Sequence, residues 1–117
     1  METQMTTVTL SVLSREALTQ TALGAFDGEA QDARISFASP ELLWKTLTQK
    51  RWELLQAMTG QGPMSIREAA RRVRRDVKAV HGDVRALVHA GVLDQTSVGI
   101  EFPYDAIHVD FTLTRAA

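Results

Sequence analysis

Residues 65–91 read SIREAARRVRRDVKAVHGDVRALVHAG, two helix patterns separated by a tight turn. Ser65 and Glu68 have the S-x-x-E spacing of a capping box, in which hydroxyl and carboxylate each satisfy an orphan backbone donor. The helix that follows buries Ile66, Ala69, Ala70 and Val73 by their spacing. Arg74 and Arg75 form the turn, Asp76 caps a second helix expected from Val77 to Ala90, and Gly91 stops it. At 100° per residue, Val77, Val80, Val84, Leu87 and Val88 share one arc, which is the core face. The opposite arc carries Arg75, Lys78, Ala79, Gly82, Arg85, Ala86 and His89, cations interleaved with residues of little bulk. Such a face suits a DNA major groove, where long donors reach phosphates and base edges and nothing bulky intervenes. Gly82 costs about 1 kcal/mol against alanine in mid-helix. A close backbone approach to a groove explains that cost, and so does a tight crossing with another helix.

Working outward, Thr48 opens a preceding helix carrying Trp52, Leu54, Leu55 and Met58, which Gly60-Gln61-Gly62-Pro63 ends. Ser39-Pro40-Glu41 opens a shorter one. Downstream, Val92-Leu93, a turn around Ser97–Gly99 and Ile100-Glu101-Phe102 read as a β-hairpin. Three helices followed by a hairpin describe a winged helix-turn-helix. At the ends, Val8, Leu10 and Val12 alternate with polar residues, as do Ile107, Val109, Phe111 and Leu113, giving a strand at each terminus. Ser14 caps a helix expected to run to Phe26, and Ile35–Ala38 forms a short strand. The fold class is therefore α+β: a strand-helix-strand extension over residues 1–38, serving dimerisation or partner contact, and a winged helix-turn-helix with a C-terminal strand over residues 39–117.

The formal net charge is −1 over 117 residues, but its distribution is uneven. Residues 1–44 carry −4, residues 45–64 carry +2, residues 65–91 carry +4 and residues 92–117 carry −3. Seven of the 13 lysines and arginines thus lie in the two-helix stretch, a distribution that draws a polyanion to one face. Arg67, Arg71, Arg72 and Arg74 suit phosphate clamping, while Arg75, Lys78 and Arg85 are candidates for contacts at or near the bases. Hydrophobic residues make up 44% of the chain, enough for a globular core. The absence of cysteine excludes disulfides and thiolate metal sites. No apolar run approaches the roughly 18 residues of a membrane span, and METQMTTVTL lacks a basic n-region, so a cytoplasmic location is expected.

The segments SPELLWK (39–45), KRWELL (50–55), SIREAARRV (65–73), RDVKAVHGDV (75–84) and FPYDAIHVDF (102–111) resemble a prokaryotic family of small winged helix-turn-helix DNA-binding regulators. Some of its members are antitoxins of TumE-type toxin–antitoxin systems. The resemblance spans residues 34–113. It implies a sequence-specific double-stranded DNA-binding repressor, dimeric, controlling its own operon, with a cognate toxin as a further partner. Family members commonly carry glycine where this chain has Arg74, a departure that makes the turn more basic.

The chain contains no G-x-S-x-G, no Gly-rich phosphate loop and no H-E-x-x-H, so neither an enzyme activity nor a cofactor is expected. His81, His89 and His108 lack the spacing of a zinc site, and His108 is placed on the exposed face of the last strand. Trp44 and Trp52 are assigned to the core. The two terminal apolar strands pair either within one chain or across a symmetric dimer, whose twofold would match palindromic half-sites. A winged-helix protein–protein adaptor that does not bind DNA is the alternative function.

Overall fold

The computed structural model describes residues 6–12 and 33–112. The elements in order are β1 (Thr7–Val12), β2 (Ala33–Phe37), α1 (Pro40–Thr46), α2 (Gln49–Met58), α3 (Ile66–Val73), α4 (Val77–His89), β3 (Asp94–Thr96), β4 (Gly99–Glu101) and β5 (Ala106–Asp110). Among the described residues these make an α+β arrangement of four helices, a three-stranded sheet and a two-stranded sheet. The helix expected from Ser14 to Phe26 lies outside the described residues.

Each helix opens on the cap its sequence provides. Ser39 Oγ accepts from the Leu42 amide at 3.2 Å, and Thr48 Oγ1 from Arg51 at 3.3 Å. Ser65 Oγ accepts from Glu68 at 3.1 Å, and Asp76 Oδ2 from Lys78 at 3.1 Å. Such caps contribute about 1 kcal/mol each. The capping box at Ser65 is half formed, because the Glu68 carboxylate turns outward to Arg71 and Arg72. Two guanidinium groups within one helical turn attract it more strongly than a single backbone N–H does.

The larger sheet has the order β2-β1-β5 and is parallel throughout. Leu10 sits opposite Ile35 on one side and Val109 on the other, so the apolar positions of all three strands align on one face. The terminal strands β1 and β5 therefore pair within one chain. Asp105 fixes the start of β1: its carboxylate accepts from the Thr6 amide at 2.9 Å, and its own amide donates to the Thr6 carbonyl at 2.7 Å. Although the division at residues 38 and 39 falls between β2 and α1, β5 lies in the same sheet as β1 and β2.

One core runs through the molecule. Val8 and Leu10 of β1, Leu43 of α1, Leu54, Leu55 and Met58 of α2, Ala69 and Ala70 of α3, and Val80, Val84 and Leu87 of α4 are all buried in it. Val92, Leu93, Ile100 and Phe102 close it below the hairpin. Three expectations are corrected. Trp44 and Trp52 are exposed rather than core, Trp44 at 51%, with its ring edge-on to Phe111 at 6.0 Å. Val77, the first residue of α4, is also exposed, at 43%.

The segment before α3 joins the hairpin through a pair of bonds. The Met64 amide donates to the Ile100 carbonyl and the Ile100 amide to the Met64 carbonyl, both at 2.8 Å. This bridge ties the hairpin β3–β4 to the start of the α3–α4 unit. Between α3 and α4 the chain turns through Arg74, whose φ of 56° is left-handed. The Arg75 amide reaches back to the Ala70 carbonyl at 3.0 Å and the Arg74 amide to Arg71 at 3.2 Å, a Schellman closure. A side chain at such a position costs about 1 kcal/mol. Arg74→Gly is therefore expected to raise stability by about 1 kcal/mol in urea unfolding. A loss of stability would show that the Arg74 side chain contributes more than its backbone strain costs.

Candidate nucleic-acid interface

The Schellman turn and the Asp76 cap set α4 across α3, with Val80, Val84 and Leu87 buried beneath it. The residues on its far side, Lys78, Ala79, His81, Gly82, Arg85 and His89, are exposed. A Cβ built at Gly82 meets no atom within 4 Å. No helix of the described residues crosses α4 there, so the tight intramolecular crossing is not what keeps glycine at this position.

The basic residues divide into two groups. Arg67, Arg74, Lys78 and Arg85 are exposed and have no carboxylate partner among the described residues. Arg67 lies in the first turn of α3, Arg74 in the turn, and Lys78 and Arg85 with Gly82 on the outer face of α4. The others are engaged. Arg71 and Arg72 share Glu68, Arg72 through Nε at 2.8 Å and with a further bond to Gln61 Oε1 at 2.9 Å. Arg71 remains 77% exposed, so its pairing is a solvated one of small energetic weight.

Arg75 is held most firmly. Its side chain is only 18% exposed, and Nη2 lies 2.8 Å from Asp83 Oδ2. Asp83, 16% exposed, also accepts a bond from Arg51 Nε at 3.0 Å through Oδ1. The Arg75 contact is short but lies off the hydrogen-bond direction, so Oδ2 and the buried Arg75 Nη1 lack hydrogen-bond partners. The attraction there is mainly Coulombic. Arg51 continues through Nη1 to the carbonyls of Lys45 and Thr46, at 3.3 and 3.0 Å, near the end of α1. One carboxylate thus gathers two guanidinium groups and links α1, α2, the turn and α4.

On the helical wheel Arg75 falls with Lys78 and Arg85 on the outer arc, whereas no motif singles out Arg51 or Asp83. Asp83 was nevertheless legible as an anomaly, since it is the one acidic residue inside α4 and sits on the flank between its core and outer arcs. Its partner on α2 lies 32 residues away, beyond what helical periodicity reports.

A family model, HVO_A0114, matches residues 46–109, more than half of the chain. The chain belongs to the HVO_A0114 family. The HVO_A0114 match begins at the end of α1 and reaches into β5, so it encloses Arg67, Arg71, Arg72, Arg74, Arg75, Lys78 and Arg85 together with Arg51 and Asp83. β1 and β2 lie outside it. No curated protein and no solved structure matches the chain. Among the described residues, no helix is long and apolar enough to cross a membrane, and no three His, Asp or Glu side chains are grouped to hold a metal ion.

Proposed function

We propose that this protein is a double-stranded DNA-binding transcriptional regulator of winged-helix type, with α4 as the helix that enters the major groove. The observation that carries this reading is the outer face of α4: Lys78 and Arg85 exposed and without carboxylate partners, on either side of a glycine with open space above it. Arg67, Arg71 and Arg74 border that face and supply phosphate contacts, which fix register without reading sequence. In this reading the hairpin β3–β4 is the wing. Its tip, Thr96-Ser97-Val98-Gly99, has no cation and adds little electrostatic affinity. The protein acts by occluding its operator, as a homodimer whose twofold matches a palindromic site.

The test is fluorescence anisotropy with a duplex from the protein's own upstream region, against a scrambled competitor, at two salt concentrations. With three to five phosphates neutralised per subunit, a dimer loses roughly 10³–10⁵ in affinity between 50 and 200 mM salt. Equal affinity for both duplexes would reduce the reading to a basic surface. An antitoxin role adds a toxin partner, which co-purification from cells expressing the neighbouring gene would detect.

Gly82→Ala separates contact from packing. The substitution restores helix propensity and meets no neighbour, so it is expected to stabilise the fold by about 0.5–1 kcal/mol. Duplex affinity is expected to fall severalfold, because the added methyl occupies the closest approach of the helix backbone to the groove. A rise in both stability and affinity would remove Gly82 from the interface.

The second reading, a protein–protein adaptor, is favoured by a different surface. Leu42 and Trp44 on α1 are about half exposed, at 46% and 51%, which leaves two large apolar side chains of one short helix open to a partner. Absence of duplex binding together with a co-purifying protein lost on Trp44→Ser would establish it.

A further inference from the structure

The sequence of α4 and its turn offers three outer-arc cations, Arg75, Lys78 and Arg85, yet the structure leaves only two of them projecting. The third is folded back on Asp83, which also holds Arg51 from α2. Both arginine side chains are about four-fifths buried. An acid on a helix that approaches phosphates is unfavourable if exposed, and Asp83 avoids this by lying between two arginines. Arg75 directly follows Arg74 in the turn, and Arg51 meets Arg75 at the same carboxylate. Released, each would add a sequence-independent phosphate contact.

We propose that Asp83 is a specificity-determining positioning residue of the DNA-contacting surface: it withholds Arg51 and Arg75 from the phosphates and fixes the seating of α4 against α2. The inference rests on the DNA-binding reading above. Two consequences combine. Fewer available cations lower the affinity for any duplex, since non-specific binding follows the number of neutralised phosphates. A fixed seating keeps Lys78 and Arg85 aimed, since Arg51 ties Asp83 on α4 to the carbonyls of Lys45 and Thr46 at the end of α1. Specificity is the ratio between cognate and random duplex binding, and Asp83 acts on both parts of it.

The measurement is the dependence of affinity on salt, by anisotropy on cognate and scrambled duplexes, for the wild-type protein, Arg75→Gln and Asp83→Asn. Arg75→Gln is expected to leave the salt slope unchanged, because Arg75 neutralises no phosphate. Asp83→Asn is expected to steepen the slope by about one to two units per subunit, about 0.9 for each arginine released. It tightens scrambled-duplex binding about tenfold per released arginine at 0.1 M salt, while the specificity ratio falls. A merely structural role for Asp83 would weaken binding to both duplexes and would not steepen the slope.

A slope flattened by about one unit in Arg75→Gln would show that Arg75 already contacts phosphate, and would overturn the inference. An unchanged slope and ratio in Asp83→Asn would overturn it equally. If circular dichroism shows Asp83→Asn to be unfolded, Arg51→Gln joins Arg75→Gln: unchanged slopes in both support withholding, and a flattened slope in either refutes it. Absence of wild-type binding to any duplex overturns the DNA reading itself, which distinguishes that failure from failure of the Asp83 inference.

Discussion

Replacing Lys78 and Arg85 together by glutamate is expected to lower affinity for the cognate duplex at least about a hundredfold, with folding unchanged. Residues that reach base edges or phosphates from a groove-bound helix contribute about 1–3 kcal/mol each. In the proposed DNA-binding reading, reversal would remove two such contacts per subunit and place two carboxylates against the phosphate backbone. Both side chains are exposed on α4, and neither pairs with a carboxylate among the described residues, so no folded-state ion pair is lost. The thermal midpoint should move by no more than a few degrees, and the salt slope should fall by about two units per subunit. Undiminished binding by the folded double variant would exclude the outer face of α4 as the contact surface. It would direct attention to Arg67 and Arg71 on α3.

The second large effect is on stability. Gly99→Ala is expected to cost about 3 kcal/mol or more. Gly99 has φ of 142°, where an L side chain is strained by about 1–3 kcal/mol. A Cβ there would also collide with the Met64 carbonyl, whose carbon would lie 2.7 Å away. That carbonyl accepts the Ile100 amide at 2.8 Å, so it cannot retreat without breaking the bridge that joins the segment before α3 to the hairpin. Each of the two bridge bonds contributes about 1 kcal/mol. Against a total stability of about 5–15 kcal/mol the loss is large, and a thermal midpoint lower by roughly 10 °C or more should accompany it. A change below about 1 kcal/mol would mean that the hairpin shifts away from Met64 without cost. Alanine at Val98, exposed at the tip of the same hairpin, serves as the control with little expected effect.

The parts of this molecule that could be read from its residues are those decided within a few positions along the chain. Ser39, Thr48, Ser65 and Asp76 each cap the helix that follows, because a short oxygen-bearing side chain can reach the free amides of the next turn in any tertiary setting. Gly91, at φ of 87°, ends α4 for an equally local reason. The left-handed φ of 56° at Arg74 comes from the structure; the sequence marks only a tight turn there. Val80, Val84 and Leu87 were identified as core by period alone, and they are buried.

The same reasoning failed where a residue's environment comes from another element. Trp44 and Trp52 are large and apolar, yet whether they are covered depends on what packs over α1 and α2. Glu68 has the right spacing for a capping box, but two nearby arginines compete for it. Arg75 falls on the outward arc of the helical wheel, and its guanidinium nevertheless turns back to Asp83. A wheel describes where a Cβ points, whereas a long flexible side chain goes where its charge is best compensated.

The sequence by itself therefore determined the helices, their caps, the turn between α3 and α4, the hairpin and the concentration of positive charge on one stretch. These follow from hydrogen-bond geometry and periodicity over short separations. Only the tertiary structure decided that β1 pairs with both β2 and β5 in one chain, with Thr6 and Asp105 joined across 99 residues. It alone decided that Arg51 and Arg75 are engaged by Asp83, while Lys78 and Arg85 remain without a carboxylate partner among the described residues. The physical reason is that strand partners and ion pairs are chosen by proximity in space. Proximity across tens of residues is set by the packing of the whole core.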